Sequence, residues 1–381
     1  VSTSPATTTG LAASSSVPAW KVGCLVGCGS LLLVALVVGL FGLGMVRSIL
    51  RGAGIGLARP HRDGGATIAP RRDGERGELI SKPGRRLRLA VVDDRYLYFV
   101  RSTGRTLVYR VPKAGGDSWV LGEVGSGIFG HIDDLAADGA HLWVAGRGGL
   151  FRLDRESGAK ERLAEGQVHA VAVDGGFVYF AGDEELRRLP IAGGPPQLLH
   201  RYPKQLELNL GAGGGEVYLG LDTARQLLRV AADGGGVEVI AEGGLFRAGQ
   251  PILVDGEHVF WIDAIHGLRR RPRAGGEEVG LDISVRGEDG AHHLGLAMDQ
   301  RSLYLGRSVV RGAQEVRDYR GGKRWNLTSS GAGGLVRIAK DGGREPVNLL
   351  PGARDVVGVA VDATHVYWLD SERGLVGRRP R

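Results

Sequence analysis

A short tag returns seven times along this chain and constrains its architecture more than any other feature. An Asp closes an apolar run, and an aliphatic–aromatic pair begins four residues later. The copies are Asp93 with Leu97-Tyr98, Asp138 with Leu142-Trp143, Asp174 with Val178-Tyr179, Asp255 with Val259-Phe260, Asp299 with Leu303-Tyr304, and Asp362 with Val366-Tyr367. A seventh copy, Gly213 with Val217-Tyr218, has lost the Asp. Successive anchors are 45, 36, 39, 42, 44 and 63 residues apart. Strand chemistry repeated with a period near 40 is the pattern of a β-propeller. The reading is all-β: a seven-bladed propeller over residues 77–381, with six blades as the alternative if the fourth unit is incomplete.

Each unit supplies the parts of a four-stranded blade. In the fifth, Gln250 to Asp255 is an apolar inner strand, Val259-Phe-Trp-Ile262 the second, Leu268 to Pro272 the third, and Glu278 to Leu281 the start of the fourth. Gly275-Gly276 closes the hairpin between the last two. Asp at the first turn is expected to bind nearby backbone N–H groups. The aromatics that follow it are expected to pack between blades. A third-strand Arg recurs at Arg110, Arg152, Arg188, Arg229, Arg270 and Arg337, six residues before a Gly. Its expected role is a packed stem with the head at the blade surface. The seventh unit ends after its third strand, and Gly77 to Gly84 resembles the missing fourth, so the two chain ends should complete one blade.

Ahead of the repeats lie three different segments. Residues 1–20 are Ser-, Thr- and Ala-rich and read as disordered. Val22 to Val46 is 25 residues without a charge, which at ~1.5 Å per residue spans a hydrocarbon core of ~30 Å. A single transmembrane helix over 21–47 follows, making the membrane the first expected partner. Residues 48–76 read as a basic, flexible linker. The net charge of +7 divides as +1 for residues 1–46 (Lys21), +4 for 47–76 (seven Arg against Asp63, Asp73 and Glu75), and +2 for the repeats. Basic excess beside a membrane helix, rather than on the folded domain, argues against nucleic acid. Arg47, Arg51, Arg59 and Arg62 favour a cytoplasmic C-terminal side by the positive-inside rule. Bacterial propellers behind one membrane helix are often sensor or binding domains outside the cell, and the reading leans that way by analogy. The only cysteines, Cys24 and Cys28, precede the repeats, which excludes disulfides and Cys-based zinc sites from them.

Tyr367-Trp368-Leu369-Asp370 and Phe260-Trp261-Ile262-Asp263 resemble the YWTD tag of β-propellers. The resemblance covers residues 77–381 and implies a receptor, sensor or binding module, usually with six blades. Architectural relatives include lactone hydrolases and lyases, which need inward carboxylates, a metal or a catalytic His.

Propeller chemistry gathers where loops enter the inner strands around the central channel. Seven residues before each anchor position come Arg86, His131, Gln167, Leu206, Ala248, His292 and Asp355. The candidate ligand-binding set is His131, Asp133, Asp134, His169, His292, His293 and Asp355. Such imidazoles and carboxylates suit a divalent metal or a general base, although no cofactor is required and no catalytic residue stands out. The sixth unit carries about 20 extra residues, read as a loop from Arg307 to Gly334. Its Tyr319, Arg320, Lys323, Arg324 and Trp325 suit contact with an anionic partner. The expected function is a membrane-anchored, non-catalytic binding or sensor module for a protein or small ligand; a lactonase-type hydrolase or lyase is the alternative.

Overall fold

The computed structural model describes residues 71–73, 77–126, 131–244, 246, 249–263, 267–281, 291–317, 323–329, 334–342, 344, 346–350, 353 and 355–381. The expected disordered segment, the membrane helix and residues 48–70 and 74–76 of the linker lie outside them. No helix among the described residues is long and apolar enough to cross a membrane.

The repeats form seven antiparallel sheets, one per tag, so the count is seven and not the six usual for YWTD propellers. Blade 2 is typical: Ile132–Ala137 lies innermost, followed outward by His141–Gly146, Gly149–Asp154 and Lys160–Ala164. Blade 7 joins the two ends of the repeat array. Val356–Val361, His365–Asp370 and Leu375–Pro380 are completed by Gly77–Ser81, with Leu79 opposite Gly377. Arg71–Asp73, read as the end of the linker, pairs outside Gly77–Ser81 as a fifth strand. The long insertion of blade 6 is not a loop either. Its second strand runs on as Ser302–Arg317 and pairs with Lys323–Ser329 in a β-hairpin. The β-branched residues Val309, Val310 and Thr328 suit that extension.

The apolar core is divided among the seven joints between neighbouring blades. Each joint holds one cluster; for example, Tyr98, Val100 and Val108 of blade 1 meet Leu135, Leu142 and Val144 of blade 2. The tag aromatics are among the largest side chains there, and Trp143, Tyr218 and Phe260 are fully buried. Burying one such side chain contributes about 2–3 kcal/mol, so the tag provides the main packing element of each joint.

The tag Asp is a turn clasp. Asp362 Oδ1 accepts the N–H groups of Thr364 and His365, both at 2.8 Å, while Oδ2 accepts the Tyr367 hydroxyl at 2.9 Å. Asp93 and Asp299 do the same with Tyr98 and Tyr304, and Asp138 takes the Trp143 indole N–H. Blades 3 and 4 turn differently: Gly175-Gly176 and Gly214-Gly215 have φ of 57° and 82°, and 62° and 80°. Two consecutive left-handed residues close such a hairpin without a side-chain clasp, which is why Gly213 can replace the Asp. In blade 4 the lost carboxylate is supplied from elsewhere: Glu216 accepts the Tyr218 hydroxyl at 2.5 Å.

The recurrent third-strand Arg does more than the sequence suggested. In four of the six, and in the equivalent Arg378 of blade 7, the head crosses to the next blade and donates to the carbonyl of the residue just after that blade's third strand, whereas Arg152 pairs with Glu161 in its own blade. Arg110 reaches Arg155, Arg188 reaches Ala232, Arg229 reaches Arg273 and Arg270 reaches Lys340, each at 2.6 Å. Arg378 reaches Lys113 at 2.5 Å and so crosses the ring closure. At four of these joints the acceptor residue is itself a cation that pairs with the preceding blade's carboxylate, and Arg381 after the third strand of blade 7 makes the same pair with blade 6. The pairs are Arg155–Asp93 (3.0 Å), Arg273–Glu216 (3.0 Å), Lys340–Asp255 (2.8 Å), Arg381–Asp299 (3.1 Å) and Lys113–Asp362 (2.5 Å).

Candidate functional site

At the opposite end of the strands, several inner strands carry a β-bulge one or two residues from their start. The register shifts at Arg88/Ala90 in blade 1, Ile132/Asp134 in blade 2 and Val168/Ala170 in blade 3. The extra residues are Leu89, Asp133 and His169. A bulge lets two adjacent side chains escape strict alternation, and here it turns polar groups into the seams between blades.

Asp133, 6% exposed, is held from two blades. Its Oδ1 lies 2.7 Å from His131 Nδ1, and its Oδ2 accepts Gln167 Nε2 at 2.5 Å. Arg88 of blade 1 lies 2.9 Å from His131 Nε2. A guanidinium only donates, so Nε2 accepts and the imidazole proton sits on Nδ1, facing Asp133. The result is a directed chain across three blades, from Arg88 through His131 to Asp133, with Gln167 closing it.

His169, the equivalent of Asp133 in blade 3, joins a separate pair. Its Nε2 lies 2.8 Å from Asp183, which also faces Lys204 at 3.4 Å. Asp134 goes a third way. Its carboxylate accepts the N–H of Leu135 at 2.8 Å and of Val171 in blade 3 at 3.0 Å, and it lines the central channel. Burial pushes its pKa up to about 6; the two N–H groups pull the other way, and neighbouring Asp133 adds to the rise. Asp355 immediately precedes the inner strand of blade 7, where its carbonyl accepts the Ser371 N–H at 3.0 Å. His292 and His293 stand on the inner strand of blade 6 opposite Ser308 and Arg307; their side chains are outside the described residues. Lys323, Arg324 and Trp325 lie on the inserted hairpin strand opposite Arg317, Val316 and Glu315, again without described side chains. Tyr319 and Arg320 lie outside the described residues.

The candidates therefore separate into His131–Asp133, His169–Asp183 and Asp134. Among the described residues no three His, Cys, Asp or Glu side chains are grouped as a metal site. The His131–Asp133 pair has the form of an oriented base, but its Nε2 lone pair, where a nucleophile would sit, is taken by Arg88. Sequence reasoning missed Arg88 and Asp183. Arg88 carried a signal, being the one charge in the apolar run Leu87-Arg-Leu-Ala-Val-Val92. Asp183 carried none, because its partner is on another strand of the blade.

Two spaces adjoin these groups. The channel is a cavity of ≈ 360 Å³ whose walls include Leu89, Leu135, Leu253, Leu296 and Val359, with Asp134 among them. A groove of ≈ 570 Å³ runs between the 163–167 loop and the second hairpin of blade 3, past Glu165, Phe180, Asp183 and Glu185.

Neither a family model nor a curated protein matches the sequence. Solved structures do resemble it. A chain of a mitotic checkpoint complex matches with TM-score 0.57 and 10% identity, over 82% of this chain and 96% of that one. The WD40 β-propeller domain of Doa1 matches with TM-score 0.53 and 12% identity, over 80% and 95%. BamB from Moraxella catarrhalis matches with TM-score 0.50 and 13% identity, over 83% and 100%. At such identities the likeness shows the propeller fold alone.

Proposed function

We propose that this chain is a membrane-anchored propeller that binds a protein or small ligand without transforming it. One observation carries the reading: among the described residues, the polar groups at the channel mouth are tied to one another instead of converging on a common point. A hydrolase or lyase needs a base with a free lone pair, or open metal ligands, aimed at one reacting atom. Here the best-oriented imidazole is held between a carboxylate and a guanidinium. Propellers present such mouths and grooves to partners on a rigid ring, which suits binding.

The anchor is assigned to residues 22–46, and the propeller is placed outside the cytoplasm. The uncharged run supports the anchor; the side rests on analogy and runs against the arginines that follow the run. Reporter fusions at Arg381 test it, with alkaline phosphatase active and a cytosolic fluorescent reporter dark. The opposite pattern overturns the placement. Incubating the full chain with a panel of lactones and esters tests the binding reading. The substrates are expected to be recovered unchanged; turnover lost in His131→Asn would favour the lactonase-type alternative.

A further inference from the structure

We propose that the Arg88 guanidinium is the head-group site for a small organic anion whose apolar body enters the central channel. The proposal rests on the binding reading and specifies its ligand class.

The argument starts from hydrogen-bond inventory. A guanidinium carries five N–H donors. One meets His131 Nε2, and among the described residues Arg88 makes no other hydrogen bond or ion pair. The nearest carboxylate, Asp133, has its oxygens committed to His131 and Gln167. Arg88 is thus fixed at one corner by a neutral ring nitrogen, while its remaining donors stay unmatched by the described residues. Burial lowers its pKa and Asp133 raises it, so the desolvated cation is only partly compensated. An incoming carboxylate that fits the fork would satisfy both the charge and the donors. Arg86 and Arg147 add positive charge at the same rim. Both are exposed and free of ion pairs among the described residues, and the Arg147 N–H is bonded to the His131 carbonyl.

The second half is the space below. Arg88 immediately precedes Leu89 to Val92, and Asp133 immediately precedes Asp134 and Leu135; both runs line the channel. Apart from Asp134, every lining side chain is apolar or absent. Gly249, from the loop entering blade 5, stands against this mouth, where a Cβ would lie 3.4 Å from the Asp133 carbonyl. A narrow mouth with a cation at its edge and an apolar lumen selects a slender anion with a hydrophobic tail. The directed chain from Gln167 to Arg88 gives His131 a definite part: it is a positioning residue that aims the guanidinium.

The test is equilibrium dialysis of labelled hexanoate against the full chain in zwitterionic nanodiscs, with empty nanodiscs as the blank. Saturable one-site binding is expected. Arg88→Gln should weaken it about tenfold or more, and Arg88→Lys about threefold, since an ammonium keeps the charge but not the fork. Acetate and hexan-1-ol should each compete poorly, one lacking the tail and the other the charge. Circular dichroism shows whether each variant folds; if Arg88→Gln does not, Arg88→Lys decides. Equal affinity in a folded Arg88 variant overturns the site, as does absence of saturable binding. Acetate competing as well as hexanoate removes the channel from the proposal. These failures leave a non-catalytic propeller intact, whereas turnover of lactones or esters overturns the binding reading whatever Arg88 does.

Discussion

The joint between blades 7 and 1 and the joint between blades 3 and 4 are built from the same repeat and held by different means. At the first, Asp362 clasps its own turn and receives the Lys113 ammonium of the next blade. At the second, the residue in the lysine's place is Ala232, and the Asp174 carboxylate makes no hydrogen bond or ion pair among the described residues. The joint between blades 2 and 3 likewise has Ile191 there, packed against the Trp143 cluster. The arginine clasp still crosses from Arg188 to Ala232. What separates the two kinds of joint is therefore one side chain after the third strand and one turn type, not the strand framework. The unpaired joint between blades 2 and 3 is also where Gln167 meets Asp133 and Val171 meets Asp134, at the other end of the strands. There the polar tie has moved from the turn end to the candidate site.

Breaking the stronger joint should give the largest effect. Asp362→Ala strands two turn N–H groups, the Tyr367 hydroxyl and the partly buried Lys113 ammonium. The expected loss is about 2–4 kcal/mol in urea unfolding monitored by circular dichroism. A loss below about 1 kcal/mol would mean that packing alone closes the ring. The same carboxylate gives the sign of the acid response. Burial alone would raise its pKa, but Lys113, the two N–H groups and Tyr367 outweigh burial and hold it well below the ordinary value. Asp93, Asp138, Asp255 and Asp299 are lowered in the same way. A folded pKa below the unfolded one contributes stability that is present above about pH 4 and lost as pH falls through the folded value. The wild-type urea midpoint should thus drop below about pH 4, and that of Asp362→Asn should drop less steeply.

The weaker joint supplies the control. Asp174→Ala should cost no more than about 1 kcal/mol in the same assay, because Gly175 and Gly176 already hold the turn. A cost equal to that of Asp362→Ala would show that the two joints do not differ in the way described.

How far these differences could be read beforehand depends on sequence distance. The tag, the seven units and the closing strand Gly77–Ser81 were legible because each is a local pattern of strand and turn residues. The turn role of Asp93 or Asp362 was legible for the same reason. The partner of each third-strand Arg was not, because Arg110 bonds a carbonyl 45 residues away and Arg378 one 265 residues away. The blade 6 hairpin was hidden by its Arg- and Gly-rich composition, which reads as loop. At the channel mouth, position singled out His131 and Asp133 as candidates beside the lumen. It could not separate them from His169, because the bulges that re-aim these side chains leave no sequence signature.

The smallest effect comes from adding what the weaker joint lacks. Ala232 occupies the place of Lys113 and Lys340, its carbonyl already receives Arg188, and the blade 3 carboxylate Asp174 has no bonded partner among the described residues. Ala232→Lys should supply the missing cation. A part-exposed pair contributes little, so the gain should be about 0.5–1 kcal/mol and should shrink in 1 M salt. In the double variant with Asp174→Ala the gain should vanish, since the lysine then has no carboxylate to meet. If it persists, the added side chain acts by covering apolar surface at the joint. The clasped joints would then owe less to their charges than the Lys113–Asp362 geometry implies.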